Sequence, residues 1–196
     1  MLNPDGVVNG NYRCSLAGCD LNRRWKKPSK VSFNEWLCQV LHPTIYATKR
    51  LVKQLYQERG VTLFCDMHGH SRTHNAFVYG CRSLEIPEST KIFPYILSKL
   101  NPYFSFDKSR FGTQRTKETT ARVCLFKELQ HVAAIYTLEA TFSGKLDGVF
   151  YTPEILKSIG RDICRALIPY CGLSVEFPLS PGADTGVDEV VARKKL

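Results

Sequence analysis

The sequence predicts an α/β fold with a mixed, mostly buried sheet flanked by helices, and three observations carry that expectation. Short apolar runs bounded by turn residues recur along the chain, segments with helical periodicity separate them, and the composition over 196 residues is 43% hydrophobic and 23% charged, as in an ordinary globular protein. Strands alternating with helices bury their apolar faces best in stacked layers. Residues 1–171 form one expected domain, and residues 172–196, mixed in charge and rich in Pro and Gly without periodicity, read as a flexible tail.

In chain order, residues 1–30 are dense in Gly, Asn, Pro and Arg and read as turns and loops, a setting that often carries function. Pro43 to Arg59 reads as an amphipathic helix with Leu51, Val52, Leu55 and Tyr56 on one face and Gly60 as its stop. Val61 to Asp66 reads as a buried strand that delivers Asp66-Met67-His68-Gly69-His70 to a sheet edge, and Asn75 to Cys81 as a second strand. A helix is expected between Pro87 and Pro102, started or interrupted by Pro94. Ala121 to Leu129 and Ala133 to Phe142 read as two further strands. Thr152 caps a last helix with Pro153 at its first position and a buried stripe of Leu156, Ile159, Ile163 and Leu167.

The formal charge of +9 makes the surface basic and favours encounters with polyanions of any kind. No arginine-rich tract or RNA-binding aromatic signature accompanies it, so a nucleic-acid module is not expected. No apolar run approaches the roughly 18 residues of a membrane helix. The eight cysteines include Cys65, Cys81 and Cys124 inside apolar runs, which read as reduced core thiols, and no Cys-x-x-Cys pair suggests a cysteine-bound metal.

Three constellations carry chemistry. Asp66-Met-His-Gly-His-Ser71 sets two imidazoles beside a glycine, fitting either a metal or catalytic site or a solvated loop. Glu139 sits in an otherwise apolar run, where a carboxylate is either a buried general base or an exposed edge residue. Asp20-Leu-Asn22-Arg23-Arg24 offers a guanidinium fork beside a carboxamide, suited to gripping a carboxylate or to a solvated basic turn.

Taken in order, these motifs resemble the zinc carboxypeptidases of the carboxypeptidase A and B superfamily, and within it the cytosolic carboxypeptidases that trim glutamates from tubulin tails. The resemblance spans about residues 1–170. It rests on Asn3-Pro4-Asp5-Gly6, Gly10-Asn11-Tyr12-Arg13-Cys14, Asp20-Leu21-Asn22-Arg23, Asp66 to Ser71, and Tyr136-Thr137-Leu138-Glu139-Ala140-Thr141. It implies an α/β/α sandwich and one zinc ion with His68 as a ligand. Glu139 is implied as the general base that activates water and later protonates the leaving amine. Arg13 is implied as the cation that stabilises the oxyanion, with Arg24 as a nearby competitor, and Asn22 with Arg23 as the pair that binds the free C-terminal carboxylate. Arg122 resembles the basic residue facing a terminal glutamate side chain, its alternative being the solvated face of a strand. His70 is expected to point away from His68 and to serve the pocket rather than the metal.

One part of the family pattern is missing. The first two zinc ligands of such enzymes come from a His-x-x-Glu motif upstream of Asn-Pro-Asp-Gly, and none of the five histidines, at 42, 68, 70, 74 and 131, is followed three residues later by Glu. The remaining ligands are therefore expected upstream of Met1, the sheet is expected to be incomplete on its N-terminal side, and the chain reads as a fragment, inactive alone. The function implied is hydrolysis of C-terminal glutamates from tubulin or other acidic tails, by a monomer in the cytoplasm, at microtubules or cilia. A non-catalytic binder of acidic peptide C-termini is the alternative.

Overall fold

A computed structural model describes residues 1–26 and 39–173. The C-terminal tail expected from residue 172 lies beyond residue 173 outside the described residues. The described residues gather into two compact units, one from Met1–Phe64 and Thr113–Val132, the other from Cys65–Gly112 and the residues from Ala133 onward.

In the first unit, α1 (Pro4–Val8) is held by Asn3, whose Oδ1 accepts from Gly6 N at 3.3 Å. The helix α2 (Pro43–Arg59) starts on proline and stops at Gly60, where φ of +77° is a conformation that glycine adopts without Cβ strain. Its predicted bounds hold, but Leu51 lies exposed and Ile45 is its buried residue.

Ala121 to Leu129 is a correction to the sequence reading. The segment is a helix, α4 (Ala121–Glu128), not a strand. Five consecutive residues, Ala121 to Leu125, are buried, so the apolar run that imitates a strand is a helix covered on several faces, a case that periodicity alone does not separate. Lys49 of α2 ties the unit together: its Nζ donates to Trp25 O at 2.7 Å and to Glu128 Oε1 at 2.6 Å. Glu128 lies at the C-terminal end of α4, where a negative charge is unfavourable. Burial alone would raise its pKa, yet hydrogen bonds from Lys49 and Lys53 hold it below the ordinary carboxylate value.

A mixed sheet, in the second unit from Cys65 onward, runs in the order β1-β3-β2, with β1 (Leu63–His70), β2 (Ala76–Tyr79) and β3 (Ala134–Thr141). β2 and β3 are antiparallel, with Phe77 opposite Glu139. The Cys65 thiol meets the Leu138 backbone and His70 O accepts from Phe142 N at 3.0 Å. Residue numbers rise together in both contacts, so β1 and β3 run parallel. As the central strand, β3 buries Ala134 to Leu138 without a break, which explains its continuous apolar sequence. The outer edge of β2 is covered by residues 103–110, through Ala76 N to Tyr103 O at 2.9 Å and Arg110 N to Val78 O at 3.0 Å, so its backbone groups do not stand open.

The helices α3 (Ser89–Leu100) and α5 (Pro153–Tyr170) pack on each other, and α3 also packs on β3. Thr90, Phe93, Pro94 and Leu97 make the buried stripe of α3 at helical spacing. Pro94 has no N–H, so Thr90 O cannot receive the usual helical bond from residue 94. Tyr136 of β3 replaces it, its hydroxyl donating to Thr90 O at 2.8 Å in the core. Burial pushes the Tyr136 phenol well above its ordinary pKa, so it stays a donor.

Thr152 caps α5 as expected, its hydroxyl accepting from Ile155 N at 3.4 Å, but the stripe is displaced. Leu156 is exposed, and the buried residues are Ile159, Asp162, Ile163, Ala166 and Tyr170. Asp162 was hidden from an apolar-only reading because a carboxylate occupies a core position. It is bonded by Asn101 Nδ2 at 2.8 Å, Arg161 Nε at 2.9 Å and Arg165 Nη1 at 3.3 Å, the pairing that a buried charge needs.

Candidate functional site

The predicted site residues fall into two groups, Arg13, Asn22, Arg23 and Arg122 in the first unit and His68 with Glu139 in the second.

In the first unit the chain makes a small hairpin, with Cys14 bridging Asp20 and Ser15 N donating to Cys19 O at 3.0 Å. The hairpin turns on Gly18, where φ is +65°. Asp20 is its organising residue. Oδ1 accepts from Asn22 N at 2.9 Å and starts the 3-10 turn Leu21–Arg23, while Oδ2 pairs with Arg13 Nε at 2.9 Å and lies 3.9 Å from Arg23 Nη1. One carboxylate thus gathers two guanidinium groups and leaves a local excess of positive charge. Arg13 is half exposed, and with five donors on its fork it can meet a second anion while keeping Asp20. Arg24 stands apart from the Asp20 cluster, its Nη2 donating to Cys19 Sγ at 3.0 Å.

Asn22 joins this hairpin to α4. Its Oδ1 accepts from Ala121 N, the first helical residue, at 2.9 Å, which satisfies a donor that a helix start leaves over. The next residue is Arg122, 5% exposed. It was expected on a strand, and it occupies the first turn of a helix instead. The loop that carries Arg13 tolerates little change: a Cβ on Gly6 would meet Cys14 O and the Asn3 side chain, and Asn3 Nδ2 already donates to Cys14 O at 3.2 Å.

In the second unit the Asp66 to His70 motif lies within β1 rather than beyond its end. Strand alternation puts Asp66, His68 and His70 on one face, and their partial burial against exposed Met67 and Gly69 agrees. The expectation that His70 points away from His68 is therefore corrected, since residues two apart on a strand share a face. His70 is tied up differently: its Nδ1 accepts from Arg72 N at 3.1 Å and Thr73 N at 3.0 Å, and its ring meets Phe77 edge-on. His68 Nε2 donates to Asp66 Oδ2 at 2.8 Å, which places the lone pair of the neutral ring on Nδ1. The bond from Phe142 N to His70 O fixes the β1–β3 register, setting His68 level with Glu139 on the neighbouring strand. Level residues of adjacent strands project to the same side of a sheet.

Neither Asp20 nor Asp66 was given a role from sequence. Asp20-x-Asn22 is the spacing of a side chain that accepts from the backbone two residues on, and Asp66-x-His68 is a same-face strand pair. Among the described residues no three His, Cys, Asp or Glu side chains converge as a metal cage. The described cysteines are free thiols, and burial, with the Asp66 charge, raises the Cys65 pKa to about 12. No described helix is long and apolar enough to cross a membrane.

No protein-family model matches the chain. Among curated proteins it is 45% identical over 178 residues to cytosolic carboxypeptidase 2 of Mus musculus, with 87% of this chain and 19% of that protein covered. It is 43% identical over 180 residues to the Homo sapiens protein of the same name, covering 87% and 18%. Cytosolic carboxypeptidase 1 of Danio rerio is 40% identical over 188 residues, covering 86% and 15%. The chain thus spans about a fifth of the length of the relatives it matches. Among solved structures, the metallo-carboxypeptidase of Burkholderia cenocepacia superposes with a TM-score of 0.70 at 21% identity, covering 87% of this chain and 43% of that one. The metallo-carboxypeptidase of Pseudomonas aeruginosa, in complex with (2-guanidinoethylmercapto)succinic acid, gives 0.67 at 24% identity, covering 85% and 43%. At these identities the two structures establish the fold.

Proposed function

The chain is a homologue of the cytosolic carboxypeptidases, and from that premise we propose that the protein it belongs to is a zinc metallocarboxypeptidase that removes C-terminal glutamates from acidic protein tails. The observation that carries the reading is His68, oriented by Asp66 at 2.8 Å, standing level with Glu139 on the adjacent strand. A histidine whose second ring nitrogen is held by a carboxylate is a well-prepared metal ligand, and a carboxylate beside it suits a general base. A catalytic zinc takes three protein ligands, and His68 would supply one of them. Zinc bound there contributes Lewis-acid polarisation and acidifies water.

The chain's own residues do the rest. Glu139 takes the proton of the attacking water and returns it to the leaving amine. Arg13, held at its Nε by Asp20, keeps further donors on its fork, and the motif resemblance assigns it the oxyanion. Arg23 and the Asn22 side-chain amide hold the substrate's terminal carboxylate, a task in which a planar fork outperforms a point charge. Arg122 meets the acidic side chain of the terminal residue. The net charge of +9 favours encounter with acidic tails, of which tubulin's are the leading candidate; the cytosolic naming of the relatives supports a cytoplasmic site of action, and a place at microtubules or cilia rests on the motif resemblance alone.

The test is the substrate preference of the full-length protein. Arg122→Met is expected to lower kcat/KM for glutamate-terminated peptides by roughly 100-fold, about 3 kcal/mol for an unpartnered substrate carboxylate, while a leucine-terminated peptide loses little. An equal loss for both peptides contradicts the role of Arg122. Release of no C-terminal residue by a zinc-loaded protein contradicts the enzymatic reading and leaves a binder of acidic C-termini.

A further inference from the structure

Among the described residues, three that are not glycine hold a positive φ: Tyr12 at +56°, Asn75 at +68° and His131 at +67°. Asn and His visit this left-handed region more readily than most residue types, and Asn75 is further held by Lys108 Nζ, which donates to its Oδ1 at 3.0 Å. Tyr12 is of a different kind. A bulky aromatic residue is strained in this conformation. Tyr12 is 85% exposed, and among the described residues its side chain makes no hydrogen bond, ion pair or ring contact. Nothing within the fold offsets the strain.

The backbone fixes where this side chain is presented. Cys14 N donates to Asn11 O at 3.0 Å, closing a β-turn with Tyr12 at its second position. A positive φ there belongs to turn types dominated by Gly, Asn and Asp. Both ends of the turn are tied, Asn11 N donating to Gly6 O at 2.8 Å and Asn3 Nδ2 to Cys14 O at 3.2 Å. The third residue of the turn is Arg13, half exposed and held at its Nε by Asp20. The strained tyrosine is thus the immediate chain neighbour of the residue assigned to the oxyanion. Strain retained at a residue the fold does not use points to a role outside the fold.

We propose that Tyr12 is a specificity-determining residue whose ring packs on the side chain of the penultimate substrate residue, the one whose carbonyl Arg13 polarises. Asn22, Arg23 and Arg122 are assigned to the terminal residue, which leaves the penultimate residue as the nearest part of the peptide without a partner. Tyrosine offers a large, rigid contact area for the loss of two side-chain torsions, and its face takes up the methylene groups of a leucine or a glutamate alike. The contact reads size rather than charge. The proposal rests on the carboxypeptidase reading and adds to it a preference at the position before the cleaved bond.

Steady-state kinetics of the full-length, zinc-loaded protein test it with three peptides that end in glutamate and carry glycine, leucine or glutamate at the penultimate position. The parent is expected to favour leucine and glutamate over glycine by about tenfold in kcat/KM, the effect of burying about two methylene groups. Tyr12→Asn suits the left-handed backbone, so it should melt no lower than the parent while the three peptides converge to within about twofold of one another. Tyr12→Phe should retain the preference. A parent indifferent to the penultimate residue, or a preference unchanged in Tyr12→Asn, overturns the assignment and leaves the carboxypeptidase reading standing. A uniform loss on all three peptides with a lowered melting temperature makes the ring structural and overturns it equally. A loss confined to the glutamate peptide, or shared by Tyr12→Phe, traces the effect to the hydroxyl and rules out packing on the ring. A parent that releases no terminal residue from any peptide contradicts the carboxypeptidase reading itself, and the role of Tyr12 falls with it.

Discussion

Removing the Tyr136 hydroxyl, by Tyr136→Phe, probes how a proline is accommodated inside α3. Pro94 cannot donate to Thr90 O, and the Tyr136 hydroxyl fills that place at 2.8 Å in a fully buried setting. The phenylalanine ring keeps the packing against Phe93, whose centroid lies 5.9 Å away, so the loss is confined to the hydrogen bond. A buried carbonyl deprived of its donor costs about 1–3 kcal/mol, which for a chain of this size lowers the melting temperature by roughly 3–10 °C. Pro94→Ala restores an N–H aimed at Thr90 O, so in that background Tyr136→Phe should cost only about 0.5–1 kcal/mol. A double-mutant cycle read by urea denaturation with circular dichroism should therefore give a coupling of about 1 kcal/mol or more between residues 94 and 136. Strict additivity, with the same Tyr136→Phe cost in both backgrounds, refutes the reasoning.

Asp162 gives a pH prediction. Burial alone would raise its pKa, but hydrogen bonds from Arg161 and Asn101, with the charge of Arg161, bring it below the ordinary value. Its stabilising effect is therefore complete above the unfolded pKa of about 3.9 and is lost as pH falls through the lower folded value; Asp162→Asn should cost about 1–3 kcal/mol at pH 7 and flatten the acid limb of a stability-versus-pH curve measured by chemical denaturation. Gly6→Ala should disturb the loop that carries Arg13, because its Cβ would meet backbone Cys14 O. Limited proteolysis should then cut residues 1–25 faster, with helix content by circular dichroism nearly unchanged, whereas an unaltered cleavage rate would show that the close approach is relieved.

The legible parts of the sequence were those in which one local signal settles the structure. Pro43 and Gly60 bracket α2, Thr152 with Pro153 starts α5, and the uninterrupted run from Ala134 becomes the central strand. Ala121 to Leu129 failed for the converse reason: a short segment buried on several faces has no polar stripe, so helix and strand look alike. The α5 stripe was misplaced because Asp162, a charge, fills a core position that only its three partners make tolerable. At the site, the residue types were visible and their organisers were not. Asp20 and Asp66 act through neighbours two residues away, and Asn22 acts on a helix 99 positions further along the chain, a contact that no local pattern encodes.

In the proposed reaction Glu139 is the base of a zinc-dependent hydrolysis and His68 holds the metal. It is tested most directly by pairing metal content with turnover for Glu139→Gln in the full-length protein. The account predicts one zinc per chain, as in the parent, with release of C-terminal glutamate reduced by about 100-fold or more, while His68→Ala loses the metal itself. Turnover of Glu139→Gln at the parental rate with zinc in place would contradict it.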